Sequence, residues 1–300
     1  MTIRKPNFFV IGCLLALPLV HPLSAQERRE TKTAKHSLWK LEGERSTVYL
    51  LGSVHLLKKE DYPLPSPIEA AFTNAQIVVF ETDQEKMQAQ ETQMKLMSKA
   101  QLPAGQTLRQ QLSPETYAAF SRHLEKAGLP AAALDTFKPL LAATVLEMAE
   151  LQKLGFDPKY GLDEYFSRRA RKEGKEIVAL ETVDFQIELF TGLDQQESES
   201  IMKAELKEIE NTEKEFAEML KAWSTGDAQT LEKLLQQAFQ EFPAIYKRLL
   251  TDRNRNWLPK IQELAHGGRN ALIIVGAGHL VGDQGVVQLL KKKGMKVTQL

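Results

Sequence analysis

Four short apolar runs end on a polar residue, and that shared ending limits the folds open to the chain. Residues 48–55 (VYLLGSVH) and 271–279 (ALIIVGAGH) each hold a β-branched-rich run that stops at a glycine and delivers a histidine, His55 or His279, three residues later. Residues 75–83 (AQIVVFETD) place Glu81 after Ile77–Phe80, and residues 176–184 (EIVALETVD) place Glu181 after 177–180. Runs of this length and composition are buried strands. A glycine at the strand's end lets the backbone turn sharply with no Cβ in the way. Ligands of open α/β sheets sit outside the carboxyl ends of the strands. Strands ending in His, Glu, Glu and His therefore predict one shared polar site.

The rest of the chain fits around those strands. Residues 38–41 and 47–51 read as strands joined by EGER, a connection of hairpin length. Pro63, Pro65 and Pro67 hold 58–67 as a loop, and a short helix over 68–74 leads into Ile77–Phe80. Residues 84–174 read as helical, with Ser113-Pro114-Glu115 as one helix start. A strand at 177–180 precedes a second helical block over 183–267. Strand 271–275, helix 285–293 and strand 296–300 close the chain. The predicted fold is α/β: a mostly parallel central sheet with strands from both chain ends, plus a large helical insert at about 84–174 and 183–267. Its continuous apolar runs suit parallel strands buried on both faces. Residues 37–300 are read as one domain, behind a polar lead-in over 26–36.

Residues 1–25 read as a signal peptide: Arg4 and Lys5, an apolar stretch over 8–20, then Leu23-Ser24-Ala25. The apolar stretch is short and broken by Pro18, so no permanent span is expected. An exported protein, periplasmic or secreted, follows; a lipoprotein anchored through Cys13 is the lesser alternative. Cleavage removes Cys13, the only cysteine, and with it disulfides, thiolate ligands and a thiol nucleophile. It leaves 37 basic against 39 acidic residues. That balance has no electrostatic footprint for nucleic acid.

His21 leaves with the signal, and His36, His123 and His266 sit in polar or helical contexts. His55 and His279 alone follow a strand and a glycine. Two imidazoles and one or two carboxylates suit Zn²⁺, Mn²⁺, Fe²⁺ or Co²⁺ with a position left for water. Glu81 is the favoured third ligand, and Glu181 the base or a fourth ligand. Asp163 reads as the cap of a helix starting at Glu164, or as a further acid facing the site. Leu250, Asn254, Trp257 and Ile261 share one helical face. Asn254 on that stripe is either bonded to backbone or aimed into a site, and Arg253 beside it is placed to hold a substrate carboxylate or orient an acidic ligand. Met87, Met94 and Met97 read as core or interface filler, and 197–221 as one charge-rich helix with a solvated face. There is no G-x-S-x-G elbow, phosphate loop or H-E-x-x-H.

The elements TVYLLGSVHLL, DYPLP, IVVFETD, YGLDEYF, KEIVALETVDFQ, LLTDRNRNWLPKI and VGAGHLVGDQGVVQLLKKKG, in this order, resemble the TraB/GumN family, which includes the Tiki metalloproteases that act on Wnt proteins. The resemblance implies a fold like that of the haem-binding ChaN-like and erythromycin-esterase-like proteins. It carries a metal or catalytic role onto His55, His279 and Glu81, and maps the LET, GLD and RN elements onto Glu181, Asp163, Arg253 and Asn254. The expected function is a metal-dependent hydrolase, peptidase-like, using a divalent ion (Zn, Mn or Co) on a peptide or small-molecule substrate. The alternative is a protein that sequesters a peptide or a small ligand such as haem.

Overall fold

A computed structural model describes residues 35–300; the expected signal peptide and most of the lead-in lie outside the described residues. β1 (Leu38–Glu42) and β2 (Thr47–Ser53) form the expected antiparallel hairpin, in register from Leu38 opposite Leu51 to Glu42 opposite Thr47. β3 (Ile77–Phe80), β4 (Glu176–Ala179), β5 (Ala271–Gly276) and β6 (Val297–Gln299) complete a six-stranded sheet ordered β4-β3-β5-β2-β1-β6. β4, β3, β5 and β2 are parallel, while β1 runs antiparallel to β2 and β6. The architecture is the mostly parallel α/β sheet, with strands from both chain ends, that the sequence predicts.

Every residue of β3 and β5 is buried. Successive side chains of a strand point to opposite faces, so both faces of the sheet are covered there. β4 departs from that expectation. It lies at the sheet's edge with a strand on one side only, and Glu176 and Ala179 are exposed.

The insert folds as the capping signals direct. Ser113 accepts from the Thr116 N–H and Pro114 fills the first turn of Pro114–Ala127. Gly128 ends that helix in the left-handed conformation at φ 76°. Phe120, Leu124, Leu146 and Met202 pack in a small core of the insert's own, beside the main core around the sheet. The segment read as one helix over 197–221 is two, Gln195–Glu208 and Thr212–Ser224, separated by the turn Ile209–Asn211. Nor is its face wholly solvated: the Glu205 Oε2 is shut off from solvent. Met94 and Met97 are exposed, whereas Met87 is buried. Among the described residues, no helix is long and apolar enough to cross a membrane.

Candidate active site

The carboxyl ends of β4, β3, β5 and β2 lie side by side, which brings Glu181, Glu81, His279 and His55 to one rim in that order. The glycines act there by closeness rather than by bending. Neither Gly52 nor Gly276 has a positive φ. A Cβ on Gly52 would stand 3.0 Å from both Cα and Cβ of Ala277, so this glycine lets β2 pack against the turn that carries His279.

β5 runs two residues past β3, with Phe80 opposite Ile274. Glu81 fills the step, and its Oε1 accepts the Gly276 N–H at 2.7 Å. Its Oε2 accepts from Arg253 Nη2 at 2.5 Å. Arg253 stands at the start of the helix Asp252–His266, just after a π-helical turn, Lys247–Thr251, and its Nη1 donates to the Leu249 carbonyl in that turn at 3.0 Å. Nε and Nη2 of Arg253 donate to Oε1 and Oε2 of Glu181, each at 2.8 Å. Trp257, one turn on, donates Nε1 to Glu181 Oε1 at 2.8 Å. Gln186 reaches Oε2 of both Glu181 (3.0 Å) and Glu81 (3.3 Å). Both Glu181 oxygens are thereby engaged.

His279 is fully buried, with Nδ1 2.6 Å from Asn254 Oδ1. Asn254 Nδ2 donates to the Gln284 carbonyl at 2.8 Å, which fixes the orientation of the amide. An amide oxygen only accepts, so His279 Nδ1 carries the proton and Nε2 is a lone pair, facing Arg253 Nη1 at 3.0 Å. Burial and the Arg253 charge push the His279 pKa down to about 3, against the pull of Glu81. Burial would raise the Glu81 carboxyl, but Arg253 and then the two histidines hold it well below the usual carboxylate range.

His55 sits at the end of the row. Its Nδ1 lies 2.8 Å from Asp163 Oδ2, a charge contact rather than an aligned hydrogen bond, and its buried Nε2 has no hydrogen-bond partner. Burial opposes the charged ring, yet Asp163 and then Glu81 outweigh it and raise the His55 pKa. Gly161 makes the pairing possible. A Cβ there would stand 2.8 Å from the His55 carbonyl carbon and closer still to its oxygen. The helix Leu162–Lys172 can begin against the end of β2 only because that position has no side chain. Gly161 takes the cap position and Asp163 lies inside the first turn. Its carboxylate is therefore turned to His55 instead of capping.

A cleft of about 360 Å³ opens onto the rim, with His55, Glu81, Thr82, Asp163, Glu164 and Gln186 in its lining. Met87, Leu141, Val145, Met148, Ile187 and Phe190 are among its apolar lining residues. Glu181, Arg253, Asn254 and His279 do not line it. Arg253 orients two acids, and Asn254 both bonds backbone and faces the site.

A sequence model of the TraB/PrgY/gumN family matches residues 37–299, a span that holds every strand and every site residue described above. The chain belongs to that family. The uncharacterized protein YbaP of Escherichia coli (strain K12) is 24% identical over 243 residues, covering 81% of this chain and 87% of that protein. YbaP of Shigella flexneri is 25% identical over the same shares. No solved structure matches the chain.

In this TraB/PrgY/gumN protein the rim brings together imidazoles and carboxylates, residue types that divalent ions take. Metal-binding imidazoles tie one ring nitrogen to an acceptor; His279 ties Nδ1 to Asn254, and His55 sets Nδ1 in charge contact with Asp163. Glu81 supplies an oxygen beside them, 3.8 Å from His279 Nε2. In the packing described, Arg253 takes Glu81 Oε2 and His279 Nε2, and among the described residues no three His, Cys, Asp or Glu side chains converge as a metal cluster. Sequence reasoning missed Gln186 and the Gly276 N–H, which carry no periodic signal, and left Trp257 as stripe filler. A tryptophan on a buried stripe beside a polar residue signals that its N–H needs a partner.

Proposed function

We propose that the protein is an exported, metal-dependent hydrolase that cleaves a carbonyl–heteroatom bond, peptide-like amides included. The observation that carries this reading is the pair of buried histidines with Nδ1 against Asp163 or Asn254, the His55 Nε2 without a hydrogen-bond partner and the His279 Nε2 facing Arg253. His55 Nε2, His279 Nε2 and a Glu81 oxygen would hold the ion, which when bound lowers the pKa of a water and polarises the substrate carbonyl. Asp163 and Asn254 set the ring orientations. Arg253 keeps Glu81 ionised and is itself held by Glu181, Leu249 and the Trp257 face, 4.9 Å away. Glu181, with both oxygens engaged, is an orienting carboxylate rather than a proton acceptor at the substrate. Residues 1–25 support export.

The test is turnover by protein loaded with Zn²⁺, Mn²⁺ or Co²⁺, against fluorogenic peptides and simple esters. Activity that EDTA removes and that His55→Ala lacks supports the reading. Activity indifferent to both sinks it. The apolar cleft favours a second reading, sequestration of a small apolar ligand such as haem without turnover. Saturable binding with no product under any of the three ions would select it.

A further inference from the structure

The wall of the cleft says more about the substrate than the polar rim does. On the helix Pro139–Lys153, two rows spaced by four residues line the cleft: Leu141, Val145 and Ala149, and Leu140, Thr144, Met148 and Gln152. The opposite side of the same helix, Ala142, Ala143 and Leu146, packs into the insert's core. At the middle of the cleft-facing side Val145 is 39% exposed. Leu141, Val145 and Met148 thus give the cleft an apolar wall, with Leu140 buried behind it.

A second observation points the same way. Among the described residues the exposed large apolar side chains are Met94, Met97, Val145 and Phe185. They sit on Gln90–Ala100, Pro139–Lys153 and Val183–Thr191, three helices that also line the cleft through Leu96, Met148 and Phe190. Of these four, Val145 lines the cleft itself.

Two further features narrow the chemistry. Along the wall away from His55 the lining contains no lysine or arginine, and the acids Glu81, Asp163 and Glu164 stand at the rim, so an anionic tail finds no cation along the cleft. A buried peptide backbone needs a partner for each N–H and C=O. On the long wall helix the polar lining side chains are Thr144 and Gln152, and Thr144 Oγ1 already donates to the Leu140 carbonyl. An alkyl chain makes no such demand.

We propose that the cleft takes a neutral ester or amide whose acyl part is an unbranched alkyl chain, lying along Leu141, Val145 and Met148 with its carbonyl at the His55 end. This deepens the hydrolase reading and rests on it for the reacting end alone. In the reaction the water oxygen bonds to the acyl carbon, the bond from that carbon to oxygen or nitrogen breaks, and a water proton ends on the departing heteroatom. No other reactant is required.

The experiment separates binding from turnover. Straight-chain 2-alkanones from five to thirteen carbons, neutral and not hydrolysable, are titrated calorimetrically into the full-length protein, alongside tri-leucine amide. The matching 4-nitrophenyl acyl esters are assayed for turnover. Affinity should rise about threefold to fourfold per methylene, from roughly 0.8 kcal/mol each, until the cleft is filled. Val145→Asp, at a partly exposed position, and Leu141→Trp, which fills the wall, should each flatten that gradient with the circular dichroism unchanged. A flat gradient in the native protein overturns the proposal, as does one that both variants leave intact, or tri-leucine amide binding more tightly than every ketone. Graded ketone binding without ester turnover upholds the ligand class and defeats the hydrolase reading instead.

Discussion

Arg253 meets Glu181 side-on, Nε to Oε1 and Nη2 to Oε2 at 2.8 Å each, and the same Nη2 reaches Glu81 at 2.5 Å. One buried guanidinium thus stands between two carboxylates, with its third nitrogen against the lone pair of His279. It neutralises the acids that a metal site needs, from within the site. Arg253→Met should therefore destabilise the metal-free protein by about 3–5 kcal/mol, the cost of breaking a buried ion pair from one side. Divalent ions should then recover more of the melting temperature in the variant than they add to the native protein. Thermal denaturation with and without Zn²⁺ or Mn²⁺ checks this, and equal shifts in both proteins would count against it.

Asp163 acts through His55, so its loss should appear in binding before it appears in folding. Asp163→Asn keeps the side-chain shape and removes the charge. Metal affinity should fall roughly 10- to 100-fold, as for other groups that orient a metal-binding histidine. Isothermal calorimetry measures the drop. An unchanged affinity would mean that the Asp163 contact is only structural.

The two histidines should titrate apart in the metal-free protein. His55, raised by Asp163 beyond the cost of burial, should protonate above the usual imidazole range near 6.5. His279, pushed down to about 3, should stay neutral throughout pH 5–8. His279 is depressed when folded, so the unfolded chain takes up its proton first and this group costs stability as the pH falls below about 6.5. His55 is raised, so its contribution is present at low pH and is lost as pH rises through its folded value. Imidazole NMR shifts of the native protein, with His55→Ala for assignment, decide the matter.

A carboxyl pair lies away from the rim. Glu147 on Pro139–Lys153 and Glu205 on Gln195–Glu208 each have a buried oxygen without a partner, beside a gap of about 20 Å³ that Glu208 and Thr212 also line. Burial pushes Glu205 up to about 8, and burial with the Glu205 charge raises Glu147 well above the ordinary 4.5. Because both folded values are raised, stability is fullest below about 4.5 and is lost as the pH climbs toward about 8. Glu147→Gln with Glu205→Gln should flatten that slope and stabilise the protein at pH 8 by roughly 1–3 kcal/mol. Urea unfolding across the range measures it; an unaltered slope would contradict the assignment.

The rim was legible because its signal is local. A strand that ends in Gly-x-x-His or in Glu states both the element and the place of the polar group, and parallel pairing does the rest. The stripe Leu250, Asn254, Trp257 and Ile261 was legible for the same reason, and all four residues are buried. What the sequence hid depends on contacts across the fold. The role of Gly52 lies in the approach of Ala277, far along the chain. Asp163 reads equally well as a cap until Gly161 is seen against the His55 carbonyl. Gln186 follows no period, and Glu205 looks solvated until the helix beside it is known. The edge position of β4 is invisible in its apolar run.

The most direct test of the central claim is metal stoichiometry and affinity in the purified protein, beside His55→Ala and His279→Ala, with circular dichroism to confirm folding. One equivalent of Zn²⁺, Mn²⁺ or Co²⁺ per chain is expected, with binding lost in both folded variants. Native protein and variants that bind alike, or a native protein that binds none of the three, would contradict it.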